Sequence, residues 1–175
     1  MFDKTDVNNL FDSFENRENI IKNTDKIPVK DPTYLSFISN YQEIVITADI
    51  QLLGYEEALN ENRYVEKNYP DLYSKAWMFG QSGQGDEWFL DRETSSVLYY
   101  AHNKGDYAGM DAFLDFHIDF ARFVQAALLV QQLEKQLDEI EDGGDGSMED
   151  LEAAFKEILK TVDLEFYELY PYKYF

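Results

Sequence analysis

The chain contains no cysteine, so it can form no disulfide, no zinc–thiolate centre and no thiol nucleophile. Histidine is almost as scarce, with His102 and His117 as the two examples. They fall in separate predicted elements, and neither forms an HxH or HExxH motif. We therefore expect no metal site and no cofactor, and the missing thiols fit a reducing compartment.

Long apolar runs are also missing. The longest run, Ala126–Val130, is far short of the roughly 18 apolar residues that a membrane-spanning helix needs. The N-terminal residues, MFDKTDVNNLF, lack the basic start and apolar stretch of a signal peptide. These features predict a soluble, cytoplasmic protein with no membrane partner.

Basic residues are few, with 15 Lys and Arg against 35 Asp and Glu, which gives a formal net charge of −20. Such a charge repels nucleic acid and anionic membranes and attracts basic proteins and cations. The acidity could instead serve only solubility. Composition alone leaves both interpretations open, but it argues against a nucleic-acid ligand.

The chain is rich in aromatic residues, with 13 Tyr, 13 Phe and 2 Trp among its 175 residues. A disordered acidic tail would lack these side chains, so we expect a folded chain with a real core. Apolar residues at helical spacing and capping signals predict several helices. These helices cover residues 6–16, 31–41, 55–68, 119–141 and 147–162.

Short apolar runs separated by turn residues predict strands. They cover residues 43–47, 75–80, 87–91 and 97–101, with an edge strand within 111–117. The turns at 81–85 and 92–96 would connect three of these strands as an antiparallel meander. We divide the chain into an α+β domain at 1–141, a flexible loop at 142–147, and a helix with an aromatic tail at 148–175 packed on the same domain.

The sequence motifs that could indicate catalysis or ligand binding are weak. The spacing Gly80-x-x-Gly83-x-Gly85 differs from nucleotide-binding loops, and acidic residues follow it, so a hairpin turn is the better interpretation. The serines lack a nucleophile elbow. The acidic, glycine-rich segment after residue 141 lacks the calcium-binding ligand pattern. We predict that the protein is not an enzyme.

A succession of short segments resembles one known family. In chain order these are a helix at 34–41, FG at 79–80, GQGD at 83–86, WFLD at 88–91, VLYYAH at 97–102 and DFARFV at 119–124. The order resembles the SUKH superfamily, the domain of the yeast Smi/Knr cell-wall-assembly regulators and of many bacterial immunity proteins. The match spans roughly residues 31–130. It departs from the family pattern at Gln42-Glu43, where a Gly-Gly pair is usual, and at Asp119, where a serine is usual.

The resemblance implies an α+β fold, with a mostly antiparallel sheet of about four to six strands flanked by helices and followed here by a C-terminal helical extension. It also implies a non-catalytic protein that binds and neutralises a cognate toxin, which we expect to be basic and which could be a nuclease. The alternative is a regulatory or scaffold protein of the Smi/Knr type. Either would be a monomer or a weak homodimer.

Binding energy in such interfaces concentrates in a few residues, and we place the candidates around the meander. For the aromatic members, the alternative is a role in the core of the sheet. The candidate partner-binding residues are Asp86, Glu87, Trp88, Asp91, Tyr99, Tyr100 and His102.

Overall fold

A computed structural model describes residues 1–143 and 146–175. Its centre is a six-stranded sheet in which the strands lie side by side in chain order and every neighbouring pair is antiparallel. The strands are β1 (Ile44–Thr47), β2 (Ile50–Leu52), β3 (Ala76–Gln81), β4 (Glu87–Asp91), β5 (Val97–Tyr100) and β6 (Leu114–Asp115). The predicted α+β fold with an antiparallel sheet is confirmed.

Helices flank the sheet and follow it along the chain. Asp31 caps the first helix, Asp119 the fourth and Ser147 the fifth, each by accepting a hydrogen bond from a backbone N–H in the first turn. The helices predicted at 31–41, 119–141 and 147–162 begin at these three residues, whose side chains are of the type that favours helix caps. The helices are α1 (Pro32–Asn40), α2 (Tyr55–Asn68), α3 (Pro70–Tyr73), α4 (Phe120–Glu141), α5 (Met148–Lys160) and α6 (Phe166–Leu169).

One face of the sheet packs against α1 and α4 through aromatic side chains. The ring of Phe123 on α4 lies 4.8 Å from that of Trp88 on β4. Phe120 on α4 lies 5.3 Å from Phe79 on β3 and 5.1 Å from Tyr34 on α1. These rings are almost fully buried, so this layer holds much of the apolar core that the composition predicts.

The other face is covered by α2 and by the loop at 102–113. Asn62 on α2 is buried, and its amide exchanges two 2.8 Å hydrogen bonds with the backbone of Met78 on β3. Phe113 in the loop packs 5.2 Å from Phe89 and 4.7 Å from Tyr100. Neighbouring strand residues point to opposite faces, so β4 and β5 are covered on both sides.

The C-terminal part packs on the same body. Phe155 of α5 lies 5.4 Å from Phe2, and Phe166 of α6 lies 5.5 Å from Phe116. Tyr172 then reaches Tyr99 on β5, with ring centroids 6.1 Å apart. The loop predicted at 142–147 includes residues 144 and 145, which lie outside the described residues.

Several local predictions differ from the structure. The helix predicted at 6–16 is wrong, because only Val7–Asn9 form a short 3-10 helix, capped by Asp6. Strand β2 and helix α3 were not predicted, and the edge strand expected within 111–117 shortens to the two residues of β6. In residues 1–143 and 146–175, no helix is both long and apolar enough to cross a bilayer.

Candidate functional site

All candidate residues except Asp91 lie at one end of the sheet, around the β3–β4 turn and the adjoining end of β5. Glu87 pairs with Tyr100 and Trp88 with Tyr99 across the two strands. Asp91 lies at the opposite end of β4. There its carboxylate accepts 2.8 Å hydrogen bonds from the backbone N–H groups of Glu93 and Thr94 in the β4–β5 turn.

The β3–β4 turn is held by a buried serine. The Ser82 hydroxyl accepts hydrogen bonds from the N–H groups of Gln84 at 3.2 Å and Asp86 at 3.0 Å. Gly85 adopts a φ of +93°, a conformation that glycine takes at little cost. The predicted turn is confirmed, and it places the Asp86 side chain inside the protein, where only 3% of the residue is exposed.

The Asp86 carboxylate receives hydrogen bonds from three parts of the chain. One oxygen accepts from the backbone N–H of His102 at 2.9 Å and lies 2.6 Å from Nδ1 of the same residue. The other oxygen accepts from the hydroxyls of Tyr172 at 2.5 Å and Ser82 at 3.2 Å. Asp86 therefore ties the turn to the end of β5 and to the C-terminal segment.

The same contacts set the charge of Asp86. Burial alone would raise the pKa of this carboxyl, but the hydrogen bonds from Tyr172 and His102 outweigh burial and lower the pKa to about 2. Asp86 is ionised at neutral pH, and its charge is balanced by donors inside the protein.

Catalytic triads contain a similar pair, in which an aspartate accepts a hydrogen bond from one histidine nitrogen and so orients the histidine as a base. Half of the His102 side chain is exposed, so its other nitrogen can meet solvent. The neighbouring serine, Ser82, donates to Asp86 and not to His102. This arrangement lacks the hydrogen bond between nucleophile and base that a triad requires, and its hydrogen bonds serve to hold the chain together.

A second cluster lies on the other face of the sheet. Tyr107 donates a 2.5 Å hydrogen bond to Glu87, and its ring lies 4.9 Å from Tyr100 and 4.8 Å from Tyr69. The hydroxyl of Tyr69 donates to the Asp106 carboxylate at 3.1 Å, and that of Tyr100 donates to the Asp106 carbonyl at 3.0 Å. Burial raises the pKa of Glu87, and the bond from Tyr107 offsets part of that rise. We call these five residues the tyrosine cluster.

A surface groove of about 370 Å³ opens beside the tyrosine cluster. Helix α3 and the chain on either side of it form one wall, and the loop at 107–113 forms the other. We call it the tyrosine groove. Its lining includes Tyr69, Asp71, Leu72, Lys75, Tyr107, Met110 and Phe113.

The candidate residues therefore divide by accessibility. Trp88 is fully buried and Tyr100 is 2% exposed, which agrees with the alternative role in the sheet core. His102 is exposed, and Glu87 is partly exposed. The sequence interpretation missed Tyr69, Asp106, Tyr107 and Tyr172. The only local signal for the first three was their position beside Pro70 and the glycines of the loop, where exposed functional residues often lie.

Comparisons with known proteins give no relative: no family profile, no curated protein and no solved structure matches the chain. In the part of the chain that the structure describes, no group of three or more acidic or histidine side chains is placed to hold a metal ion.

Proposed function

We propose that this protein binds a basic protein and blocks it, as an immunity protein that neutralises a cognate toxin such as a nuclease. The observation that carries the proposal is the uncompensated negative charge of the surface. Among the described residues, only three carboxylates, those of Glu56, Glu152 and Glu157, form ion pairs with Lys or Arg. The net charge of −20 is therefore largely available to a partner.

A surface of this kind acts on a basic partner before contact. Like charges on one molecule repel each other and lower the stability of its folded state, whereas a basic partner gains from the same field. Electrostatic steering can raise association rates by orders of magnitude. A nuclease must be basic where it binds phosphate, so an acidic protein that covers that surface would also exclude the nucleic acid.

The local geometry supports binding more than catalysis. Asp86 and His102 hold the β3–β4 turn against the C-terminal segment through Tyr172. On the opposite face, the tyrosine groove offers aromatic walls and exposed carboxylates. Tyrosine side chains are enriched among the residues that dominate protein interfaces.

Co-expression tests this proposal directly. The product of the gene directly upstream is expressed alone and together with this protein. We expect that product to be basic, to stop growth when expressed alone, and to be harmless and co-purified when this protein is present. An upstream product that does not affect growth, or that remains toxic despite abundant folded protein, would overturn the proposal. Recovery of several housekeeping proteins without rescue would favour the regulatory alternative.

A further inference from the structure

The tyrosine groove differs from the rest of the surface because it combines aromatic walls with negative charge. Tyr69, Tyr107 and Phe113 contribute rings to its lining, and Tyr107 packs edge-on against Tyr69. Hydrogen bonds to Glu87 and Asp106 hold the two tyrosine hydroxyls. The walls are therefore fixed before any partner arrives, which lowers the conformational entropy that binding would cost.

Three exposed aspartates lie in or next to the lining of the groove. Asp71 lines the groove, while Asp106 and Asp111 stand next in the chain to the lining residues Tyr107 and Met110. All three aspartates are exposed. Lys75 is the basic residue in the lining, and the Lys104 ammonium group donates nearby to the Ala112 carbonyl. Three aspartates against two lysines leave this region negative overall.

We propose that the tyrosine groove binds an arginine-bearing segment of the basic partner. A guanidinium ion is planar, stacks on aromatic rings and donates paired hydrogen bonds to carboxylates. An ammonium ion carries the same charge but lacks the planar shape. The groove volume of about 370 Å³ lies within the range of roughly 300–1,000 Å³ for ligand pockets. This assignment rests on the proposed function for the identity of the partner, but its chemistry can be tested without the partner.

The test uses a tetra-arginine peptide and two variants with matched loss of charge. The first variant, Asp71→Asn/Asp106→Asn/Asp111→Asn, removes three charges at the groove and keeps an oxygen acceptor for the Tyr69 hydroxyl. The second, Asp138→Asn/Glu139→Gln/Glu141→Gln, removes three charges from exposed positions near the end of α4. Both proteins lose the same net charge, so long-range attraction falls equally.

We expect the groove variant to bind the peptide about 10-fold more weakly than the unchanged protein by calorimetry. The α4 variant should change affinity by less than about twofold. Lys75→Gln should act in the opposite direction and tighten binding, because it removes the like charge from the groove. Amide shifts on titration of isotope-labelled protein should concentrate at residues 68–75 and 106–113. Tetra-lysine should bind several-fold more weakly than tetra-arginine.

Equal weakening by the two triple variants would overturn the inference, as would amide shifts spread over the whole acidic surface. Equal binding of the two peptides would exclude recognition of the guanidinium.

Urea unfolding of each variant verifies that a loss of binding is not a loss of structure. A negative result here alongside growth rescue would remove only this inference, whereas failed rescue with specific peptide binding would remove only the toxin partner.

Discussion

Asp86 is the residue on which the candidate site depends. A buried carboxylate is stable only when donors replace the water that it loses. Here the donors come from Ser82, His102 and Tyr172, which are far apart in the chain. Loss of the charge should therefore weaken both the turn and the attachment of the C-terminal segment.

Replacement of Asp86 by Asn should lower the free energy of unfolding at pH 7 by about 2 kcal/mol, because a pKa lowered from the ordinary value to about 2 corresponds to stability of that order. In the unchanged protein this contribution is complete above about pH 4, the pKa of an unfolded aspartate, and is lost as the pH falls through about 2. Urea unfolding as a function of pH measures both effects.

The matched control is Asp138→Asn, which removes an exposed charge. It should leave unchanged the fall in the free energy of unfolding between about pH 4 and 2. The two stability curves of the Asp86→Asn variant and the unchanged protein should converge near pH 2. A constant difference at all pH values would show that the loss is steric and not electrostatic.

Among the individual residues of the candidate functional site, some could be predicted from the sequence. Asp86 and His102 were selected from their motif positions, and the structure brings them together. Tyr172 is 86 residues from Asp86 along the chain. Such a contact depends on how α5 and α6 pack, which no local pattern encodes. Trp88 and Tyr100 were ambiguous because aromatic residues serve cores and interfaces equally well.

The β3–β4 hairpin shows how the glycines of one element differ in their roles. A Cβ on Gly80 would lie 2.8 Å from the carbonyl oxygen of Gln51 on β2. Gly85 has a positive φ, whereas a Cβ on Gly83 would approach no closer than 3.4 Å to another atom. The motif that could suggest a phosphate loop is therefore explained by strand packing and turn geometry.

Alanine at these three positions should destabilise the protein in a fixed order. We expect about 2 kcal/mol or more at Gly80 because backbone must move, about 1 kcal/mol at Gly85 because of its backbone conformation, and less than about 0.5 kcal/mol at Gly83. Thermal or urea unfolding gives the three values. A larger effect at Gly83 than at Gly80 would contradict the assigned strand pairing.

The N-termini of two helices meet at one side chain. The buried Asp31 carboxylate accepts a 2.8 Å hydrogen bond from Tyr34 in α1 and lies 3.5 Å from the backbone nitrogen of Phe120, the first residue of α4. Asp31→Ala should therefore cost about 2 kcal/mol, the upper end for a helix cap. Asp6→Ala is the comparison, since Asp6 caps only a short exposed 3-10 helix, and it should cost about 0.5 kcal/mol. Equal costs would contradict the shared role of Asp31.

Helices and strands could be predicted where the apolar residues recur at regular spacing or where clear start and stop residues flank the element. Helix α2 begins and ends where predicted, because Gly54 precedes it and the apolar positions recur at helical spacing. The helix prediction for residues 6–16 was wrong because Asn8, Asn9 and Ser13 favour turns over helix. Strand β2 was missed because three residues, Ile50–Leu52, are too few to show alternation.

At the scale of the whole molecule, the distribution of charge is the main feature. Strands β4 and β5 are covered on both faces, so a partner that approaches this part of the sheet meets turns, loops or helix surfaces. Few carboxylates are paired with basic residues in the described parts of the chain. We therefore propose that binding begins with long-range attraction toward a basic partner and is followed by contact at the tyrosine groove.

The most direct test of this claim is the association rate of the protein with the basic partner from the co-expression experiment, measured by stopped flow across a range of salt concentrations. We expect the rate constant to fall at least about 10-fold between about 50 and 500 mM NaCl, because salt screens steering between charged surfaces. The dissociation rate should change much less. An association rate that does not depend on salt would contradict a role for the acidic surface in partner binding.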